Sequence, residues 1–251
     1  MNKLLQELPA FVKSFESLTS DVQRNCEIVI APPATHLTTL QPQLGAIGLG
    51  AQNCGTSKFG AFTGETSPAV LKEIKCTWVI IGHSERRHLY REDDSLILMR
   101  SKAALDEGLK VILCVGEILQ DRKAGNTFKV IQSQLSILKE SRFPQNAFER
   151  LVIAYEPVWA IGTGENATPQ QAEEVHAMIR DWFSHNLSLE KAQNIRILYG
   201  GSVKPENSAQ IMSQKDVDGL LVGTSSLDPT VFASVIRNGL KSHIETKKEL
   251  T

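Results

Sequence analysis

The chain is 251 residues long, with 41% hydrophobic and 22% charged residues, which is typical of a soluble folded protein. Its 27 Lys and Arg residues against 28 Asp and Glu residues leave a formal net charge of −1. We expect no nucleic-acid partner, because no basic surplus is available to neutralise a phosphate backbone. We also expect no membrane partner, because no apolar run reaches the roughly 18 residues that a membrane-spanning helix needs.

The predicted elements begin with an amphipathic helix near the N-terminus, where charges interrupt every apolar stretch, so we expect no signal peptide. Short apolar runs follow, most of them succeeded by a segment with helical periodicity. Seven runs are found, beginning at Cys26, Ala46, Trp78, Lys110, Leu151, Ile195 and Gly219. The helix predicted after the fifth run has Thr168 as its N-cap and Pro169 in its first turn.

Strands that are apolar on both faces and alternate with helices predict an α/β fold with a parallel sheet. Units of about thirty residues favour a βα barrel in a chain of this length, although an open doubly wound sheet fits the same pattern. No Pro-, Gly- or Ser-rich linker divides the sequence. We therefore predict one domain over 1–251, in which 241–251 is a polar C-terminal tail or a solvated helix end.

The four cysteines lie far apart and form no CxxC pair. This spacing argues against a zinc site or a disulfide framework and favours a reduced, cytoplasmic compartment. The histidines outside the motifs described below have no metal-ligand spacing. We predict no bound metal ion.

Ligands of parallel βα folds bind at the carboxyl ends of the strands, and His83 follows the third run. Because a helix is predicted to start there, the potential of its N-terminus should disfavour imidazolium. A neutral imidazole can polarise a carbonyl by donating a hydrogen bond. The alternative is a helix cap ahead of an exposed run of charges, and this segment alone does not separate the two.

Glu156 ends the apolar run LVIAY, where removal from water suits a carboxylate to general-base catalysis. A proline, an apolar stretch and Gly162-Thr163-Gly164 come next. This order predicts a loop with a stiff root and a permissive far end that closes over a ligand. A capping Glu before a structural loop is the alternative, and the carboxylate's position directly ahead of the loop favours function.

Glycine-rich segments, YGGS from Tyr199 and VGTSS from Val222, end the last two runs. Glycine lets backbone approach a ligand, and N–H groups at helix starts bind anions. Barrels commonly bind phosphate between their last two loops. With Ser202, Gly223 and Thr224 as donors, the pair indicates a phosphate monoester site. Two ordinary glycine turns are the alternative.

Together these motifs resemble those of the triosephosphate isomerase family. GAFTGE at 60–65, VIIGHSERR ending at Arg87, CVGE at 114–117, AYEPVWAIGTG, YGGSV and VGTSSL occur in that family's order over roughly residues 1–240. The resemblance implies a (β/α)8 TIM barrel. It also implies interconversion of dihydroxyacetone phosphate and glyceraldehyde 3-phosphate, in glycolysis and gluconeogenesis, without a cofactor.

The resemblance also assigns catalytic roles. Glu156 would be the base, and His83 would polarise the carbonyl and stabilise the enediolate. Glu85 would help to organise the site. Thr63, in a loop that inserts into a partner's active-site region, implies a homodimer.

The same resemblance assigns the substrate phosphate to four residues. Gly162, in a lid running from Pro157 to about Ala167, would contact it together with Ser202, Gly223 and Thr224. The family usually has Gly-Gly where this chain has Gly223-Thr224, and Thr fits there if its φ is negative.

A larger departure lies at the N-terminus. The family's first strand ends in Asn-x-Lys, often followed by Met-Asn, and this chain begins Met1-Asn2-Lys3, as if that strand were missing. Lys3 would fall past the strand and not replace the family's Lys. We expect a full-length isomerase recorded short. The alternative is a catalytically impaired or non-catalytic phosphate-binding paralogue, and a different sugar-phosphate enzyme is a third possibility.

For the chain as written, two consequences follow. Loss of a preorganised cation should lower the rate at least ~10²-fold, so weak or no activity is expected. Loss of a barrel strand should leave two open sheet edges.

Overall fold

A computed structural model describes residues 2–161 and 167–249. In these ranges seven strands form one parallel sheet in the order of the chain, and each predicted apolar run contains one strand. The strands are β1 (Val29–Ile30), β2 (Gly48–Ala51), β3 (Trp78–Ile81), β4 (Lys110–Val115), β5 (Leu151–Tyr155), β6 (Arg196–Tyr199) and β7 (Gly219–Leu220). Because a doubly wound sheet reverses its strand order at a switch point, this order excludes that alternative.

Helices occupy the crossovers between the strands. The α-helices are α1 (Leu8–Thr19), α2 (Leu37–Leu40), α3 (Pro68–Glu73), α4 (Ser84–Leu89), α5 (Asp94–Asp106), α6 (Leu119–Lys123), α7 (Thr127–Leu135), α8 (Pro169–Asn186), α9 (Leu189–Asn194), α10 (Pro205–Met212) and α11 (Pro229–Glu249). Short 3-10 turns lie at Leu5–Glu7, Ala34–His36, Gln41–Gln43, Ser136–Lys139, Gln145–Arg150, Val158–Ala160 and Thr224–Ser226. None of these described helices is long and apolar enough to cross a membrane.

Two predicted helix ends take definite forms. Thr168 Oγ1 accepts a hydrogen bond from Gln171 N at 3.1 Å, and Gln171 Oε1 accepts one from Thr168 N at 2.9 Å. This reciprocal capping box starts α8 at the predicted place. The final helix, α11, continues to Glu249, so most of the segment predicted as a polar tail or helix end is helical.

Both faces of the sheet are buried, as the apolar runs predict. Along β4, the side chains of Val111, Leu113 and Val115 belong to the large core between sheet and helices. The alternate side chains, Ile112 and Cys114, belong to a smaller core on the inner face of the curled sheet. This alternation follows from the two-residue period of a strand, and it leaves the strand ends as the place for polar groups.

The sheet has two edges within the described residues, because β1 pairs only with β2 and β7 only with β6. At the amino ends of the strands, Glu27 contacts residues of three other strands. Its carboxylate accepts hydrogen bonds from Arg196 Nη1 at 2.9 Å, from Lys110 Nζ at 3.1 Å and from Trp78 Nε1 at 3.1 Å. Glu27, two residues before β1, is thereby joined to the starts of β3, β4 and β6.

His176 on α8 is a fully buried histidine behind the strand ends. Its ring packs edge-on against Tyr155, with centroids 5.9 Å apart, and its Nδ1 lies 3.3 Å from the Asp216 carbonyl oxygen. Burial lowers the pKa of His176 to about 4, and the hydrogen bond to Asp216 offsets only part of this effect. The imidazole is therefore neutral in the folded protein at neutral pH.

This neutral histidine makes the fold sensitive to acid. The folded-state pKa of about 4 lies below the ordinary value of 6.5, so the unfolded chain binds more protons between these values. The free energy of unfolding is expected to fall by about 3 kcal/mol as the pH drops from 6.5 to 4. Urea unfolding across this range should show a steeper decline for the wild type than for His176→Gln. Identical declines in the two proteins would contradict the assignment.

Candidate active site

His83 lies between β3 and α4 and caps that helix. Gly82, just before it, has a φ of +73°, which disfavours residues with a Cβ and turns the chain sharply out of the strand. His83 Nδ1 accepts a hydrogen bond from Glu85 N at 3.3 Å. The ring proton is thus on Nε2, and this N–H donates to Glu156 Oε1 at 2.9 Å. The capping role and the predicted donor role therefore coexist in one neutral tautomer.

Glu156 follows β5, and only 2% of its surface is exposed. Its second carboxylate oxygen, Oε2, accepts a hydrogen bond from Ser84 N at 2.8 Å. Gly200, at the end of the next strand, makes room for it, because a Cβ on this glycine would lie 2.9 Å from Glu156 Cγ. The buried carboxylate is thus held between the start of α4 and the end of β6.

The protonation equilibrium of His83 differs from the expectation based on the helix terminus alone. Burial would lower the pKa of His83, but the hydrogen bond and the negative charge of Glu156 outweigh burial, and the pKa is raised. The backbone donor at Nδ1 favours the neutral ring. Sequence reasoning missed the influence of Glu156, because the 2.9 Å contact joins residues 73 positions apart.

The two glycine-rich segments lie side by side at the ends of β6 and β7. Ser225 Oγ donates to the Val203 carbonyl oxygen at 2.6 Å, which joins the segment of Ser202 to that of Gly223 and Thr224. Thr224 opens a 3-10 turn and is not among the described non-glycine residues with positive φ. The condition for a threonine at this position is therefore met.

Comparisons with known proteins assign the chain to a family. A family model described as triosephosphate isomerase matches residues 1–239. The chain belongs to the triosephosphate isomerase family. The triosephosphate isomerase of Paracoccidioides lutzii is 47% identical over 238 residues, which cover 94% of each chain. That of Aquifex aeolicus is 45% identical over 238 residues, or 94% of this chain and 95% of the relative. That of Taenia solium is 47% identical over 218 residues, or 86% and 87%.

Family membership confirms two predictions, the α/β barrel class and isomerase chemistry. The buried Glu156 and the partly exposed His83 lie at the carboxyl ends of β5 and β3. No three metal-ligating side chains cluster in the described ranges in a way that would hold a metal ion. The chemistry available there is proton transfer between a carboxylate, an imidazole and a bound ligand.

Glu117, after β4, is a buried carboxyl to which sequence reasoning assigned no role. Its Oε1 accepts hydrogen bonds from Trp159 Nε1 at 2.9 Å and from Tyr155 OH at 3.1 Å. Its carbonyl oxygen also accepts from Val158 N at 3.1 Å. Burial raises the pKa of Glu117, although these donors lower it in part. Glu117 thereby fixes the root of the predicted lid, and its signal, an acidic residue ending an apolar run, is the one that identified Glu156.

Two substitutions of Glu117 should separate its acceptor role from its charge. Glu117→Gln keeps an oxygen for Trp159 and Tyr155 and is expected to stay near wild-type stability and activity. Glu117→Leu removes the acceptor that Tyr155 OH and Trp159 Nε1 share, which should lower the free energy of unfolding by about 2 kcal/mol or more and reduce kcat/KM. Urea unfolding and steady-state kinetics measure both effects. A Leu variant equal to the Gln variant would contradict the anchoring role.

The remaining predicted site residues are placed differently. The Glu85 carboxylate is 70% exposed and lies 3.8 Å from His83 Nδ1, so its backbone N–H makes the contact. Thr63 is exposed at a loop tip and makes no hydrogen bond to His83 or Glu156 within the described chain. Gly162 lies outside the described residues. The roles of all the predicted site residues, these three included, stay predictions.

Lys3 makes its contacts with residues other than His83 and Glu156. Its Nζ lies 5.0 Å from the centroid of the Phe11 ring, and its carbonyl oxygen lies 3.0 Å from His36 Nε2. These contacts hold Lys3 against α1 and the 3-10 turn after β1. This position agrees with the expectation that Lys3 does not replace the family's strand-one Lys.

Proposed function

We propose that this chain interconverts dihydroxyacetone phosphate and glyceraldehyde 3-phosphate. The observation that carries the proposal is the contact of 2.9 Å between Oε1 of the buried Glu156 and His83 Nε2, at the strand ends beside two glycine-rich segments. A base and a neutral hydrogen-bond donor on one face of a sugar phosphate are what an aldose–ketose isomerisation requires. The names of the relatives support the choice of substrate.

In the proposed reaction, Glu156 removes a proton from the carbon next to the substrate carbonyl. The substrate carbonyl oxygen replaces Glu156 Oε1 as the acceptor of the His83 Nε2–H bond, so that negative charge on this oxygen is stabilised as the enediolate forms. The proton on Glu156 then returns to the neighbouring carbon, and the hydroxyl proton of the enediolate passes to the oxygen of the former carbonyl, so that the isomerisation is complete without a net gain or loss of atoms. As Glu156 turns away from the imidazole, its influence on the pKa of His83 weakens and the neutral donor is favoured.

The phosphate group is proposed to bind at the last two loops. The N–H groups of Gly223 and Thr224 and the segment of Ser202 supply donors, and the link between Ser225 and Val203 keeps the loops adjacent. Gly162 would add a contact from the lid, whose root Glu117 holds. Closure of the lid would exclude water and strengthen the electrostatic interactions inside.

We propose a homodimer in the cytoplasm. Large apolar side chains are exposed around the loop of Thr63 and at the end of α4, where a second copy would cover them: Phe59 (72%), Phe62 (47%), Leu89 (73%) and Tyr90 (66%). All four cysteines are free thiols, which suits a reducing compartment.

A direct assay tests the proposed activity. The chain is incubated with glyceraldehyde 3-phosphate, and formation of dihydroxyacetone phosphate is followed with a coupled dehydrogenase. Turnover is expected to be weak for the chain that begins at Met1 and sustained once an N-terminal segment ending in Asn-x-Lys is added, and no turnover by either form would refute the isomerase proposal.

A second candidate, phosphate binding with little turnover, is favoured by the position of Lys3 against Phe11. A calorimetric titration with glycerol 3-phosphate distinguishes it. Binding without isomerisation would support this candidate, whereas binding together with turnover would eliminate it.

A further inference from the structure

A buried cation lies outside the catalytic pair, on α5. Arg100 is 4% exposed, and its guanidinium meets the Glu65 carboxylate through two parallel bonds, Nη1 to Oε2 at 2.7 Å and Nη2 to Oε1 at 2.9 Å. Its Nη1 also donates to the Cys54 carbonyl oxygen. A charge so deeply buried is costly unless it is paired and hydrogen-bonded. Cys54 and Glu65, which supply these three hydrogen bonds to Arg100, belong to one loop.

The partners of Arg100 stand at the two ends of that loop, residues 54–65, here called the Thr63 loop. Cys54 begins it shortly after β2, and Glu65 ends it two residues past Thr63. A backbone bond from Gly55 N to the Thr66 carbonyl oxygen, 2.8 Å, closes its base. One guanidinium thus fixes both limbs of the loop, while Phe59 at its tip is exposed.

The same guanidinium is connected to the helix that His83 caps. Arg100 Nη2 lies 3.1 Å from Glu92 Oε1, and the Glu92 residue is 5% exposed. This oxygen also accepts from Arg86 Nε at 2.8 Å and from Arg86 Nη2 at 2.7 Å. Because Arg86 lies on α4, a continuous set of charged contacts links the Thr63 loop to the helix that His83 caps, and Arg86 N donates to the His83 carbonyl oxygen at 2.8 Å.

We propose that Arg100 is a positioning residue for the isomerase reaction. It holds the Thr63 loop in the shape that a second copy of the chain accepts, and through Glu92 and Arg86 it fixes the start of α4. The inference rests on the proposed homodimer. A planar fork is needed, because a lysine ammonium cannot meet both oxygens of Glu65, the Cys54 carbonyl and Glu92 in this geometry.

The test compares Arg100→Met and Arg100→Lys with the wild type by sedimentation velocity and steady-state kinetics. Arg100→Met leaves Glu92 buried without one of its partners, and the dimer dissociation constant is expected to rise about tenfold or more. We expect kcat to fall several-fold with little change in KM, because the phosphate loops after β6 and β7 are not part of the network. Arg100→Lys should recover thermal stability but not the dissociation constant.

Two further variants keep the test decisive. Lys102→Met removes another cation of α5, one whose ion pair with Asp106 is exposed. This variant should change neither the dissociation constant nor kcat. Glu65→Gln weakens only the contact to the loop, leaves Arg100 paired with Glu92, and should raise the dissociation constant even if Arg100→Met does not fold.

The possible outcomes separate this inference from the proposed function. If the wild type is a dimer and both Arg100→Met and Glu65→Gln keep its dissociation constant and kcat, the network is merely structural, even where Tm is lowered. This result would overturn the inference alone. A wild type that is monomeric at every concentration would overturn the proposed homodimer and this inference with it. Turnover by the wild type tests the proposed isomerase activity and not this inference.

Discussion

Replacing Glu156 with Gln is expected to lower kcat by about 10³-fold, because the amide keeps the shape of the side chain but accepts no proton from carbon. KM for glyceraldehyde 3-phosphate should change little, since Ser202, Gly223 and Thr224 are unaltered. Steady-state kinetics measure both parameters. The matched control is Glu149→Gln, which alters an exposed carboxylate just before the amino end of β5 and should leave both parameters at wild-type values.

The Glu156→Gln variant also tests the electrostatic coupling between Glu156 and His83. Glu156 raises the pKa of His83 through a hydrogen bond and its negative charge, so removal of this charge should lower the pKa of His83. An NMR titration of the imidazole nitrogens measures the change. An unchanged pKa would show that the 2.9 Å contact does not govern the protonation of His83 in solution.

Replacing His83 with Gln is expected to lower kcat by about 10²-fold or more, because a preorganised donor to the developing enediolate oxygen is lost. The effect should be smaller than that of Glu156→Gln, since the base remains and the Gln amide can supply a weaker hydrogen bond. His185→Gln is the control, because His185 lies on the exposed face of α8 with 73% of its side chain accessible. A His83→Gln enzyme with wild-type kcat would eliminate the proposed electrophile.

The sequence allowed the strand positions and the candidate pair, His83 and Glu156, to be predicted for one physical reason. Strands buried on both faces are apolar along their whole length, so the first polar residue after each run marks a carboxyl end. His83 and Glu156 were found in this way, and the parallel sheet brings their side chains to 2.9 Å. The seven runs correspond to the seven described strands for the same reason.

Strand length was less predictable than strand position. The run that begins at Cys26 holds a strand of only two residues, Val29–Ile30, and β7 is equally short. Both are edge strands with one neighbour in the described sheet. Hydrogen-bond pairing on one side alone limits their length, and an apolar pattern does not reveal how many neighbours a strand has.

The supporting residues were missed because their partners are remote in sequence. Glu117 was part of a recognised motif, but its role depends on Trp159, 42 positions away. Arg100 is one of several charges in a predicted helix, and only the fold shows that Glu65, 35 positions away, lies against it. A periodic pattern identifies the buried face of a helix, but it does not identify which buried charge has partners.

The central claim, that Glu156 moves a proton of the substrate, is tested most directly by isomerisation in D2O. Glyceraldehyde 3-phosphate is incubated with the wild type or with Glu156→Gln, and NMR measures product and its carbon-bound deuterium. The account predicts dihydroxyacetone phosphate that carries solvent deuterium from the wild type, because a proton held by a carboxylate exchanges with solvent. It predicts about 10³-fold less product from Glu156→Gln. Formation of labelled product by Glu156→Gln at the wild-type rate would contradict it.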